Sequence, residues 1–260
     1  MQKENEMNLT DLPARVIVTG GASGIGAAAA RAFAENGATV GIVSRSEETI
    51  RRALKGELAD HAGKILWRVA DVADDEALTA AIEGLATDLG GIDAVVASAG
   101  IEGEMGASVA EVTAKSFQDV LNVNVVGVFN AVKRSLPYLS ASRNASVIII
   151  GSDSGFVAAP GMLAYNASKG ALVQLTRALS VELFEAHGIR VNSVCPSIVD
   201  TPMSRRGMEV EDFDGVDFPV QSADDVAWSV LYLASERSRA VNGVNLLSDF
   251  GYTARSNFPA

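Results

Sequence analysis

Tyr165 and Lys169 stand four residues apart in the stretch Tyr165-Asn166-Ala167-Ser168-Lys169. On a helix the two side chains share one face, about one turn apart. A cation in that position favours the phenolate and lowers a tyrosine pKa from its usual ~10. A tyrosine so tuned works as a general acid or base near neutral pH. The same spacing is also found in ordinary helix surface pairs, so its meaning depends on what the rest of the chain places around it.

A second group of residues has the chemistry of a phosphate site. Thr19-Gly20-Gly21-Ala22-Ser23-Gly24-Ile25-Gly26 follows the apolar run Arg15–Thr19 and opens an Ala-rich pattern, Gly24–Glu35. Glycines in such a turn let the backbone approach a pyrophosphate, and the helix N-terminus adds N–H donors and a positive dipole end. The spacing differs from Gly-x-Gly-x-x-Gly, the common dinucleotide fingerprint. The second apolar run ends in Val43-Ser44-Arg45-Ser46. An acidic residue there would bind the ribose hydroxyls of NAD. Arg45 beside Ser44 offers a permanent charge and forked donors suited to a phosphate. The reading therefore favours NADP(H), with NAD(H) possible. Asp71-Val72 closes the third run, where Asp71 could accept from an adenine amine or open the next helix.

The elements that must carry these residues alternate along the chain. Strands are expected at Arg15–Thr19, Thr39–Val43, Ile65–Val69, Ala94–Ala97, Val147–Ile150, Arg190–Val194 and Val244–Leu247. Helices are expected at Gly24–Glu35, Glu47–Ala59, from the Asp74 cap to about Leu89, across Thr113–Leu139, at Tyr165–Ala186 and at Asp224–Ala234. The strands are continuous apolar runs, which marks strands covered on both faces. The βαβ rhythm gives a Rossmann-like, doubly wound α/β fold: a parallel sheet of about seven strands with helices on both faces. One domain is expected over 12–260 after a disordered tail at 1–11, with a substrate loop at about 203–219.

Composition narrows the partners. The 260 residues are 48% hydrophobic and carry a formal net charge of −11, a surface that repels nucleic-acid backbones. No apolar run is long enough for a membrane span. The lone cysteine, Cys195, fits a reducing, cytoplasmic setting and excludes an internal disulfide. Two histidines and one cysteine make no metal-ligand cluster, so no metal is expected.

With Thr19–Gly26 and Tyr165–Lys169 in these places, the chain resembles the short-chain dehydrogenase/reductase family over about residues 12–251. Further motifs carry the resemblance: Asn124 in Asn122-Val123-Asn124-Val125, Ser152 thirteen residues before Tyr165 with Gly155 three further on, and Pro196-Ser197 with Thr201 five residues past the proline. The resemblance implies an NAD(P)-dependent oxidoreductase. Tyr165 would transfer the proton and Lys169 lower the Tyr pKa and hold the nicotinamide ribose. Ser152 would bind the substrate oxygen, and Asn124 position a water leading from Lys169 to solvent. Val199 and Thr201 would meet the nicotinamide amide. Ser98-Ala99-Gly100 stands where the family has Asn-Ala-Gly, and Asp249-Phe250-Gly251 where many relatives have Asp-Gly-Gly. Dimers or tetramers through the two long helices are implied.

Three segments, Ile101–Ala107, Asp153–Leu163 and Met203–Pro219, should line the substrate pocket. They bring Met105, Ser154, Phe156, Met162, Met203 and Met208, a wall for an apolar ketone or secondary alcohol. Two alternatives stand beside this reading. One is a 3-oxoacyl-thioester reductase using Lys133, Arg134 and Arg177 to meet an acidic carrier. The other is a non-catalytic nucleotide-binding sensor or scaffold.

Overall fold

The structure is a computed structural model that describes residues 11–255. The expected tail lies outside these residues, apart from Asp11, whose carboxylate accepts from Arg237 Nε at 3.0 Å. Seven strands form one parallel sheet: β1 (Arg15–Thr19), β2 (Thr39–Ser44), β3 (Ile65–Val69), β4 (Ala94–Ala97), β5 (Ser146–Ile150), β6 (Arg190–Pro196) and β7 (Asn245–Ser248). Their order is β3-β2-β1-β4-β5-β6-β7. The chain winds outward from β1 in one direction, returns, and winds outward from β4 in the other. The β1–β4 junction is thus the point where loops diverge to opposite faces and leave a crevice at the carboxyl ends of the strands.

The helices are α1 (Gly24–Glu35), α2 (Glu47–Lys55), α3 (Asp75–Leu89), α4 (Ala114–Leu121), α5 (Gly127–Leu139), α6 (Leu163–His187), α7 (Pro202–Gly207) and α8 (Ala223–Ala234). Strands β1, β4 and β5 are almost wholly buried because each sheet face is covered. On one face Phe33 of α1 and Val230 of α8 pack on Val16, Val96 and Ile148. On the other, Ile82 of α3, Val132 of α5 and Leu172 of α6 pack on Ile17, Val95 and Ile149.

Three differences from the periodicity have local causes. The second helix stops at Lys55, where Gly56 caps it, and a 3-10 turn at Ala59–Lys64 leads into β3. The region read as one helix from Thr113 to Leu139 is interrupted by a π-turn at Asn122–Val126, where Gly127 N donates to Asn122 O. The stretch after β6 opens with α7, whose N-cap Thr201 exchanges bonds with Ser204 in a capping box and is followed by Pro202.

Candidate active site

Strand β5 ends at Ile150, and Ser152 follows in an extended conformation at the mouth of the crevice. Ser152 is buried, accepts a bond from Ser154 N at 3.1 Å and donates to Asp153 Oδ1 at 3.0 Å. The turn is pressed against α6. A Cβ on Gly155 would come within 2.8 Å of the Lys169 carbonyl oxygen, so only glycine lets the segment lie flat on the helix. This contact brings Ser152 to the first turn of α6, where Tyr165 stands.

Lys169, one turn along α6, is buried; its Nζ donates to Ile150 O at 2.9 Å and lies 5.4 Å from the centroid of the Tyr165 ring. Burial pulls the Lys169 ammonium down to about 8, against a small upward pull from Cys195. Burial pushes the Tyr165 phenol up to about 12; a hydrogen bond with Ser152 opposes this, and the charges of Asp153 and Glu102 add to it. The expectation of a lowered Tyr pKa is therefore corrected for the chain by itself. The ammonium is aimed at a β5 carbonyl across the ring face, so it does not pair with the phenol oxygen, and desolvation prevails.

Asn124 sits in the π-turn and is buried, with both amide hydrogens engaged and one Oδ1 lone pair left over. Its Nδ2 donates to Ile101 O (2.9 Å) and Ser168 Oγ (3.0 Å), and its Oδ1 accepts from Ile101 N (2.8 Å). It ties the loop after β4 to the middle of the Tyr165–Lys169 turn. A π-turn re-aims side chains and frees backbone groups inside a helix, and such turns recur at functional sites. Nothing in the helical pattern reveals it beyond the polar residues Asn122 and Asn124 in an otherwise apolar stretch. Ser168, which bears on Asn124, is not among the residues expected from sequence, and Glu102 and Asp153, which bear on Tyr165, are expected only as members of pocket segments. Each adjoins a residue that was singled out, and that adjacency was the available signal.

The glycine turn between β1 and α1 lies at the same end of the sheet. Gly20 has φ +68°, and a Cβ there would stand 2.8 Å from Ala99 Cα. A Cβ on Gly26 would penetrate the Gly20 carbonyl. The turn therefore closes directly against Ser98-Ala99-Gly100, and Ser98 N donates to Thr19 O at 3.2 Å. Ser23 is the N-cap of α1 but makes no side-chain cap bond, and the first turn of α1, Gly24, Ile25 and Gly26, contains no acidic residue. That donor set, uncapped N–H groups at a positive helix end, fits a pyrophosphate. Gly24 also faces Thr201 at the start of α7, so Thr201 and Val199 border the same crevice as the turn. Pro196 closes β6 beside them.

At the outer rim, Ser44 ends β2 and Arg45 is exposed, its Nη1 3.9 Å from Asp71 Oδ2. Asp71 also accepts from Ala73 N at 2.9 Å, so it is held at the turn that opens α3. Val72 is buried against Gly127.

The three segments expected at the pocket meet one another. Gly106 N donates to Gly161 O at 2.9 Å, Met105 Cε lies against Gly207, and Arg206 Nη2 donates to Glu102 Oε1 at 3.0 Å. Met105, Ser154, Met162 and Met203 are half-buried, and Phe156 and Met208 are exposed, all on these segments. Among the described residues no group of three or more His, Cys, Asp or Glu side chains could hold a metal, and no helix is long and apolar enough to cross a membrane.

Known proteins resemble this chain in sequence and fold. The family described as Enoyl-(Acyl carrier protein) reductase matches residues 20–253. The 2-(R)-hydroxypropyl-CoM dehydrogenase of Xanthobacter autotrophicus is 37% identical over 245 residues, covering 92% of this chain and 98% of the relative. The cis-4-hydroxycyclohexanecarboxylate dehydrogenase of Sinomonas cyclohexanicum is 34% identical over 244 residues, with 92% and 96% covered. Among solved structures, ElxO with NADP bound matches with a TM-score of 0.85 at 27% identity, over 94% of this chain and all of that one.

Proposed function

The chain belongs to the short-chain dehydrogenase/reductase family and is an oxidoreductase of alcohols or ketones, and from that premise we propose that it oxidises or reduces an apolar secondary alcohol or ketone, with Tyr165 as the proton-transfer residue and NADP(H) as the favoured cofactor. The observation that carries the reading is the convergence of Ser152, Tyr165 and Lys169 at the carboxyl end of β5, with Tyr165 and Lys169 shifted in opposite directions by the same burial. Pairs of titratable groups pushed apart in this way mark acid–base sites.

The nicotinamide cofactor, when bound, supplies the hydride chemistry. Gly20, Ser23, Gly24, Ile25 and Gly26 would cradle its pyrophosphate. Asp71 and Val72 would border the adenine, with Ser98, Ala99 and Gly100 beneath. Ser44 and Arg45 would meet a 2′-phosphate: the exposed guanidinium has only a long contact to Asp71 to give up. Pro196, Val199 and Thr201 would border the nicotinamide. Lys169 would hold its ribose through the ammonium that now reaches Ile150. Tyr165 would give a proton to the substrate oxygen during reduction and take one during oxidation. Ser152 would hydrogen-bond that oxygen. Asn124, through the bulged helix, would hold the water that leads from Lys169 to solvent.

The thioester alternative needs free cations beside the site, and Arg134 is bound to the Asp75 carboxylate through both Nε and Nη2. Lys133 lies 5.6 Å from the Phe129 ring centroid. The engagement of Arg134 favours a small neutral substrate over an acidic carrier. Exposed Val126 and Phe129 at α5, and Val181 and Phe184 on α6, support self-association through the long helices; light scattering should give a dimer or tetramer.

The test is Tyr165→Phe assayed with a panel of ketones and alcohols and both cofactors. Turnover should vanish while cofactor affinity persists. Unchanged turnover would sink the acid–base role. Cofactor binding with no turnover by either protein on any of the panel would favour the sensor reading.

A further inference from the structure

Asp153 is a half-buried carboxylate on the segment that borders the pocket, and its Oδ1 accepts from Ser152 Oγ at 3.0 Å. Among the described residues no Lys, Arg or His nitrogen comes within 4.0 Å of it. Glu102, the other acid whose charge bears on Tyr165, is paired with Arg206 at 3.0 Å. Asp249, whose charge bears on Asp153, accepts from Gly251 N, Thr253 N and Thr253 Oγ1.

Ser152 has a single hydrogen to donate. In the role proposed above that hydrogen goes to the substrate oxygen, and it also serves Tyr165, whose pKa the Ser152 bond lowers. When it turns that way, Asp153 keeps its bonds from Ser154 and loses the one from Ser152. A half-buried carboxylate oxygen left without its donor is costly, and a donor carried by the substrate restores the bond. We propose that Asp153 determines the substrate class: its carboxylate accepts a hydrogen bond from a second hydroxyl, on the carbon next to the reacting one, so the substrate is an α-hydroxy ketone or the matching vicinal diol. This rests on the proposed function and deepens it.

The geometry suits two oxygens on adjacent carbons. The reacting oxygen and Asp153 Oδ1 would each stand one hydrogen bond from the same Ser152 Oγ, 3.0 Å in the case of Asp153. Two oxygens on adjacent carbons, when staggered side by side, are also about one hydrogen-bond length apart. Ser152 Oγ, the reacting oxygen, its neighbour and Asp153 Oδ1 therefore close a four-membered ring of oxygens, with Ser152 and Asp153 kept where they stand. A hydroxyl suits the place better than an ammonium, because the buried Lys169 ammonium shares the site and repels a second cation. The body of the substrate stays apolar: Met105, Met162 and Met203 are half-buried on the pocket segments, and a few placed polar groups in such a wall fix orientation.

The experiment compares substrates within one protein. Reduction of three matched sets is followed with NADPH and with NADH: cyclohexanone, 2-hydroxycyclohexanone and 2-methoxycyclohexanone; butan-2-one, 3-hydroxybutan-2-one and 3-methoxybutan-2-one; acetophenone, 2-hydroxyacetophenone and 2-methoxyacetophenone. The methyl ether keeps the electron withdrawal of the neighbouring oxygen and removes its hydrogen. In the wild type, kcat/KM for the hydroxy ketone should exceed that for the parent and for the ether by about tenfold or more. In Asp153→Ala the excess over the ether should fall to within about threefold; because each ratio is taken within one protein, a general loss of activity cancels. A wild type that takes hydroxy ketone and ether alike overturns the proposal before any variant is made, and an undiminished ratio in Asp153→Ala overturns it as well. Turnover of the parent ketones without the preference leaves the proposed function standing. No turnover of any set by protein that binds cofactor removes that function, and this proposal with it.

Discussion

Lys169→Met should make the protein more stable while destroying its activity. Lys169 is 7% exposed, and burial lowers its pKa from 10.5 to about 8. At ~1.4 kcal/mol per pKa unit, holding the ammonium in that site costs on the order of 3 kcal/mol at pH 7. Methionine keeps much of the stem and removes the charge, but leaves Ile150 O without its 2.9 Å donor, a loss of about 1 kcal/mol. The net gain is about 2 kcal/mol, which for a chain of this size raises Tm by roughly 4–8 °C. The sign of the pH dependence is fixed by the same group. Its folded pKa lies below its unfolded one, so between about 8 and 10.5 the unfolded chain binds the extra proton and wild-type stability rises with pH. Tyr165 acts oppositely: its folded pKa is raised, so stability it contributes is lost from about 10 upward. Urea denaturation of both proteins at pH 7, 8, 9 and 10 checks this. The advantage of Lys169→Met should shrink steadily across that range. A destabilised variant at pH 7, or an advantage that does not change with pH, would refute the desolvation argument.

Other outcomes follow from the same geometry. Gly26→Ala should cost about 1–3 kcal/mol through overpacking of the Gly20 carbonyl, and should weaken cofactor binding measured by fluorescence titration because the turn must open. Arg190→Lys should destabilise by about 2–4 kcal/mol in chemical denaturation. The buried guanidinium donates to the carbonyls of Leu233, Ala234, Ser235, Ser238 and Val241 around the end of α8, a set an ammonium cannot reach at once. Arg45→Ala should weaken NADPH binding tenfold or more and leave NADH binding within twofold; equal effects on both would remove Arg45 from phosphate recognition.

Much of the fold was legible because it rests on local pattern. Continuous apolar runs mark strands buried on both faces, and β1, β4 and β5 lie where those runs lie. The glycines at positions 20, 24 and 26 announced a close approach, and the clash a Cβ would make at Gly20 or Gly26 is the physical reason for them. The π-turn at Asn122–Val126 was not legible, because inserting one residue into a helix barely alters its apolar period. The second helix, expected to run to Ala59, stops at Lys55, where Gly56 caps it, and the 3-10 turn at Ala59–Lys64 has no periodic pattern to announce it.

The candidate site divides in the same way. Sequence by itself determined which groups could act: the Tyr165–Lys169 spacing, Ser152 thirteen residues earlier and Asn124 upstream are covalent facts, and a helix or a strand end converts them into a shared face. Tertiary structure decided what those groups are. Packing of the Ser152 turn on α6 buried Lys169 and partly buried Tyr165, aimed the ammonium at Ile150 O, and placed Asp153 and Glu102 where their charges act on the phenol. The Tyr165–Lys169 spacing predicts a lowered tyrosine pKa, and burial in the folded chain raises it. A charge four residues away acts through the medium between the two groups, and only the fold sets that medium.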